Sequence, residues 1–481
     1  MNAMKKFNFL IPGFCCLLGL ASCKKQLDEK AHSFLTPDNF YNSAADATSA
    51  INGVFSVLQD QKYYQRTVYI ISEVSGDCFY PSPNSGDRGD IYSGTYSATN
   101  GEIANWWNNS YKMIKNANDV ITYVPGIAMD SVQRNNIVGN AYFLRGMAYF
   151  DLVRTFGDVP LVLKAGDQDL YPKRAASDQV YAQLISDLKM AEQYCYHVDK
   201  VNATNNQGMV SSEAASGMLA RAYLQRASTT FAQATDNQDA VTECNKVIAY
   251  ATANPGSLTL VKNYGDIFDL TKKNGPEILF NVQFGLSPNA VNLTNRMFDP
   301  VTAVYGGYGS FIALNSYYNS FAANDTIRRR ITVNTVDGGN RYISKWRDPG
   351  VKAGASGRTN WIVLRYADVL LMQSEALNNI NPGDAAKFDG INKVRARAGL
   401  GSQSLSFDNT ASSDDFVNAI VNERAWELGV EGQRRWDLIR LKKYKAVKAA
   451  QGYTIDDNHL LMPIPQSDID LNVNLKQNTG W

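Results

Sequence analysis

The chain has 481 residues, 44% of them hydrophobic, so it can bury a large core and is neither a disordered tail nor a fibre. Lys and Arg number 47 against 46 Asp and Glu, a formal charge of +1. No basic tract stands out, which makes nucleic acid a poor partner.

Lys5 and Lys6 precede Phe7–Leu20, a mostly apolar stretch of 14 residues. A spanning helix needs roughly 20, so this stretch reads as the apolar region of a secretory leader. Leu20-Ala21-Ser22-Cys23 looks like a bacterial lipobox, in which the cysteine is diacylated and becomes the new N-terminus. An ordinary leader with an incidental cysteine is the competing reading. One acyl chain holds a protein only marginally, whereas two or three hold it stably. The expected organisation is a signal peptide over 1–22, a lipidated flexible stalk over 23–35 and a globular remainder over 36–481, long enough for two or three average domains. Cys78, Cys195 and Cys244 remain after the leader, far apart and odd in number. No disulfide framework is expected, although one pair stays open.

Thr36 or Asp38 can cap a helix near Pro37, and Ala44, Ala47, Ile51, Val54, Phe55 and Leu58 follow at helical spacing. A second helix runs from about Trp106 to Val124, stopped by Pro125-Gly126. A third, "NNIVGNAYFLRGMAYFDLVRTFG", is apolar over more than half its circumference, as a helix packed among helices would be. Further helical runs fall near 178–196, 212–232, 237–253, 361–379, 385–398 and 414–445. Long irregular stretches at 74–105, 255–360 and 446–481 interrupt them. Loops of that length are often functional, so a site is expected there. The pattern predicts an all-α dominated fold: helix pairs in series, similar to tetratricopeptide units, with a loop-rich irregular half. No clean repeat register can be written.

Most catalytic constellations are missing. His32, His197 and His459 are isolated, and no metal-ligand spacing, Walker loop, nucleophile elbow or dinucleotide fingerprint is present. Glu423, Glu427 and Glu431, spaced i, i+4, i+8, would line one helical face and repel one another unless cations neutralise them. Arg365, Arg395, Arg397, Arg424, Arg434, Arg435 and Arg440 are available. A structural ion-pair network is favoured over a glycosidase-type carboxylate pair, and neither a catalytic residue, a metal nor a cofactor is assigned.

Aromatic residues make up 11% of the chain, led by 26 Tyr. Phe79, Tyr80, Tyr92, Tyr96 and Trp106 lie among Asp, Asn, Ser and Gly in one stretch. Phe284, Phe298, Tyr305, Tyr308 and Phe311 do so in another. A flat ring covers the apolar face of a sugar while polar neighbours satisfy its hydroxyl rim. Each stacked ring yields about 1 kcal/mol, so a few give affinities on the order of 0.1–1 mM. The competing reading is that these rings pack the loops onto the helices. Helical spacing puts Trp107 on the apolar face and leaves Trp106 as the better ligand candidate.

"AYFLRGMAYFDLVRTFGDVPLV", "LRYADVLLMQSEALN", "INKVRARAGL", "ERAWELGVEGQRRWDLIRL" and "LLMPIPQSDIDLNVNLKQN" run in order from about residue 140 to the end. With "FLTPDNFYNSAADATSAINGVF" and "WNNSYKMIKNANDVI" before them, they resemble the SusD/RagB family of Bacteroidetes surface lipoproteins over nearly all the mature chain. One departure is the ending "KQNTGW", where the family usually has Asn-Pro-Gly-Tyr. The resemblance implies a single α-rich domain and a place on the outer membrane, lipid-anchored through Cys23 and facing the cell exterior. It implies a role as a lid on a SusC-like TonB-dependent transporter, capturing a glycan and handing it on without chemistry. A peptide ligand is the alternative within the family, and a surface glycoside hydrolase the alternative outside it. Ligand residues do not carry over one by one. The candidates on the aromatic loops are Tyr80, Tyr92, Trp106, Tyr305 and Tyr308 for stacking, with Arg88 and Asn105 for polar contacts.

Overall fold

A computed structural model describes residues 36–481, apart from 167–168, 202–205, 286–290, 303, 337–338 and 352–353 and the side chains of Pro37 and Asp38. The leader, Cys23 and the stalk lie outside the described residues.

Helices dominate. After the short turn Pro37–Phe40, the helix Ala44–Leu58 starts at Ser43, whose hydroxyl accepts the Asp46 N–H. The helix expected near Pro37 is that short turn, where the Thr36 carbonyl accepts the Asn39 and Phe40 N–H groups, and Ser43 caps the longer helix. Gly101–Tyr123 and Ser131–Phe156 come next, capped by Asn100 and Asp130 through side-chain oxygens. Ser177–Tyr194, Ser212–Ala227, Asp236–Ala253, Tyr366–Ile380 and Lys387–Arg397 then stack, each chiefly against its predecessor and successor. From Asn136 through Phe156 all but one residue is buried, as its all-round apolar surface requires. Small residues let these helices approach: a Cβ on Gly390 would stand 2.3 Å from the Leu370 carbonyl oxygen.

Two long runs break. Residues 361–365 form a strand before the helix Tyr366–Ile380, because β-branched and aromatic residues there pair with Ile278–Val282 and every residue of both strands is buried. The run 414–445 splits into Ser413–Leu428, Arg434–Arg440 and Tyr444–Ala450. Val430 at φ 68° and Gly432 at φ 87° turn the chain between the first two. Glu73 fastens that turn, accepting the backbone N–H groups of Val430, Gly432, Gln433 and Arg434 at 2.7–3.3 Å.

The irregular half is more ordered than its composition suggests. Its strands are β1 Phe79–Pro81, β2 Val159–Pro160, β3 Arg174–Ala175, β4 Ile278–Val282, β5 Phe311–Ala313, β6 Val333–Thr335, β7 Arg341–Ile343 and β8 Trp361–Arg365. β2 pairs with β3 and β4 with β8. β1, β5, β7 and β6, in that order, form an antiparallel four-stranded sheet built from segments far apart in sequence. Cys78, Cys195 and Cys244 are free and buried.

Candidate ligand-binding face

The register of the four-stranded sheet sets out one row of side chains. Tyr80 pairs with Ile312, Ile312 with Tyr342 and Tyr342 with Asn334. Alternation along each strand turns Phe79, Pro81, Phe311, Ala313, Val333 and Ile343 toward the core, where all are buried. Tyr80, Ile312, Tyr342 and Asn334 occupy the other face and are all partly exposed.

Rings extend the row at both ends. At the β1 end, Tyr92 lies 6.3 Å from Tyr80 between ring centroids, and Tyr453 meets Tyr92 edge-on at 5.6 Å. Burial, with the Tyr453 and Tyr80 hydroxyls nearby, pushes the Tyr92 phenol up to about 12, so it remains a neutral donor. At the β6 end, Asn334 Nδ2 donates to the Tyr305 hydroxyl (3.2 Å), and the Arg347 guanidinium covers the Tyr305 ring at 4.0 Å. The segment 299–309, residue 303 apart, forms a lip beside this end. It doubles back at Gly307, where a Cβ would stand 2.0 Å from the Asp299 carbonyl oxygen. Tyr308, 51% exposed, rises from the lip with Arg296 stacked on it at 4.4 Å.

The structure therefore joins Tyr80 and Tyr305 through one sheet and sets Tyr308 on the adjoining lip, which neither loop sequence alone could indicate. Tyr92 is a correction: it is 7% exposed, belongs to the core and carries the Lys448 ammonium over its ring at 4.3 Å, so it supports Tyr80 and offers no stacking face. Arg88, on the short helix Gly86–Ser93, lies 5.6 Å over Phe311 on the core side of the sheet edge. Trp106 is a correction. It has 0% exposure and packs among Tyr63, Tyr64 and Trp436, so no ring face is left for a ligand. The helix Gly101–Tyr123 is buried on two sides, and both tryptophans point inward. Trp107 packs against Tyr111 and Phe156 and donates to Asp468. Asn105, on the same helix, belongs to the helical layer and is partly exposed there. Tyr342, Tyr453, Arg296 and Arg347 were missed. The alternation in "RYISKW" was the available signal for Tyr342.

The glutamate stripe is buried and fully engaged. Glu423 is bonded by Arg328 and Arg395, Glu427 by Arg328, Arg365 and Arg397, and Glu431 by Lys345 and Arg365. Although burial pushes its carboxyl up, Arg397, Arg365 and Arg328 hold Glu427 well below the usual carboxylate range. Arg365, Arg395 and Arg397 were anticipated; Arg328 and Lys345 come from the irregular half. Arg424, Arg434 and Arg440 serve Asp368, Asp77, Asp437 and Glu375 instead.

Compared with known proteins, residues 334–481 match the family described as "SusD family", and residues 25–224 match that described as "Starch-binding associating with outer membrane". A "SusD-like protein P2" of Formosa agariphila is 28% identical over 521 aligned positions, covering 99% of both chains. Among solved structures, a SusD homolog from Bacteroides thetaiotaomicron superposes with a TM-score of 0.81 at 22% identity, covering 92% of this chain and 98% of that one. A "laminarin binding SusD-like protein" superposes with a TM-score of 0.76 at 22% identity, covering 92% and 100%. These matches span nearly the whole described chain, irregular half included: the chain belongs to the SusD/RagB family.

Proposed function

We propose that this protein captures a glycan at the cell surface and delivers it to a SusC-like TonB-dependent transporter, tethered to the outer membrane through a diacylated Cys23. The observation that carries the reading is the row of partly exposed rings Tyr453, Tyr80, Tyr342 and Tyr305, with the exposed Tyr308 beside it. An open face of rings with amides and guanidinium groups at its margins suits stacking on sugar C–H faces. It releases its ligand readily, as a delivery protein must. The family's description as starch-binding and the laminarin binding of one structural neighbour support a glycan over a peptide. The engagement of every glutamate in the stripe supports binding without turnover.

The test is affinity electrophoresis of the purified chain in gels containing polysaccharides, alongside a peptide pool measured by calorimetry. Retardation by a polysaccharide, with no released product after prolonged incubation, is expected. Binding of peptides alone, or accumulation of shortened glycan, overturns the proposal. Radioactive palmitate incorporated by the wild type and not by Cys23→Ala tests the anchor separately.

A further inference from the structure

Arginines beside the ring row lack a close carboxylate, as does Arg435 over Tyr444, whereas several others over rings keep one. Arg145, Arg154 and Arg226 also lie on aromatic rings, yet each keeps a carboxylate at 2.6–2.7 Å. Beside the ligand-binding face, Arg296 lies over Tyr308 (4.4 Å) and Arg347 over Tyr305 (4.0 Å). Among the described residues, Arg296 pairs with no carboxylate, and Arg347 has only Asp299 at 3.9 Å. The Nε group of Arg296 is a buried donor without a partner there. The carboxylates on neighbouring elements are already engaged: Asp325 by Arg328 and Asp348 by Arg358.

A guanidinium held over a ring is restrained in position while its solvent-facing terminal N–H groups stay available. That edge matches an oxyanion with two oxygens, carboxylate or sulfate, in a two-bond fork. A ligand oxyanion gains more from a guanidinium that has no close carboxylate than from one already paired. Resting on the reading of this face as a glycan site, we propose that the glycan is acidic, carrying uronate carboxylates or sulfate esters. Its sugar faces lie on the rings, and its oxyanions reach Arg296 and Arg347.

The experiment is affinity electrophoresis and calorimetry of the purified full chain with polygalacturonate, chondroitin sulfate, laminarin and starch, at 50 and 300 mM NaCl. An acidic polymer is expected to bind at least tenfold more tightly than either neutral glucan, and to lose most of that advantage at high salt. Polygalacturonate carries carboxylates alone and chondroitin sulfate carries both groups, so binding of chondroitin sulfate but not of polygalacturonate assigns sulfate. Arg296→Gln and Arg347→Gln are each expected to weaken binding about fivefold to tenfold, with thermal unfolding unchanged, while Lys115→Gln at an exposed helical site leaves it unaffected. The salt response of the wild type tests the charge without any substitution. Preference for a neutral glucan, or equal weakening by Lys115→Gln, overturns this inference and leaves glycan capture standing. Binding of peptides alone overturns both.

Discussion

Arg328 Nη1 lies 3.1 Å from Glu427 Oε2 with neither side chain exposed, and that contact ties the irregular half to the helical half. Arg328 comes from the short helix Thr326–Thr332 and also holds Asp325 and Glu423. Glu427 in turn receives Arg365 and Arg397. Removing the charge of Glu427 leaves three buried guanidinium groups short of a counter-ion. Glu427→Gln is expected to lower stability by about 3–5 kcal/mol, read as a drop in the urea midpoint at an unchanged slope. An unmoved midpoint would show that the network is not what joins the two halves.

Glu73 carries a pH dependence of its own. Burial pushes its carboxyl up to about 7, against the opposing pull of the backbone N–H bonds from residues 432–434. The unfolded chain ionises this group near its ordinary value of about 4.3. Between those limits the folded state holds the extra proton, so stability falls as pH rises from about 4.5 to 7 and then levels. The loss amounts to about 3 kcal/mol. Glu73→Gln is expected to flatten this slope in denaturation curves at pH 5, 6 and 7. A slope that persists in the variant assigns the effect elsewhere.

Periodicity made the helical half legible because a buried helix writes its apolar face into residues three and four apart, as between Asn136 and Phe156. The break at 429–433 left a glycine signal, but the turn is completed by Glu73, more than 350 residues away in the chain. The ligand-binding face was only half legible. Tyr80 and Tyr305 stood out as rings in polar loops, yet what makes them neighbours is the pairing of β1, β5, β7 and β6, contacts between distant segments. Trp106 misled because one helical position separates it from Trp107, and local spacing does not report a second packed surface on Gly101–Tyr123. Arg328 and Lys345 joined the glutamates by the same long-range route.

The three buried thiols give a simple check on packing. Burial raises Cys78, Cys195 and Cys244 above their ordinary values, and neighbouring carboxylates push the same way. None is expected to react with a bulky aromatic disulfide in the native protein, and all three are expected to react within minutes in guanidinium. Fast reaction of any of them under native conditions would place that thiol nearer the surface than the fold allows.

Tyr342 and Trp106 should part company when each is cut to alanine. Tyr342 is partly exposed and pairs with Ile312 and Asn334 across the sheet. Its loss removes one stacking surface worth about 1 kcal/mol, or about fivefold in glycan affinity, with little change in unfolding temperature. Trp106 has no exposed surface and touches Tyr63, Tyr64 and Trp436. Emptying that volume should cost about 3–5 kcal/mol of stability and leave the affinity of the molecules that stay folded unaltered. Calorimetric titration well below the unfolding temperature separates the two effects. Were Trp106→Ala to weaken binding in a fully folded sample while Tyr342→Ala did not, the ligand would sit at the helical layer, and the sheet face would have no part in capture.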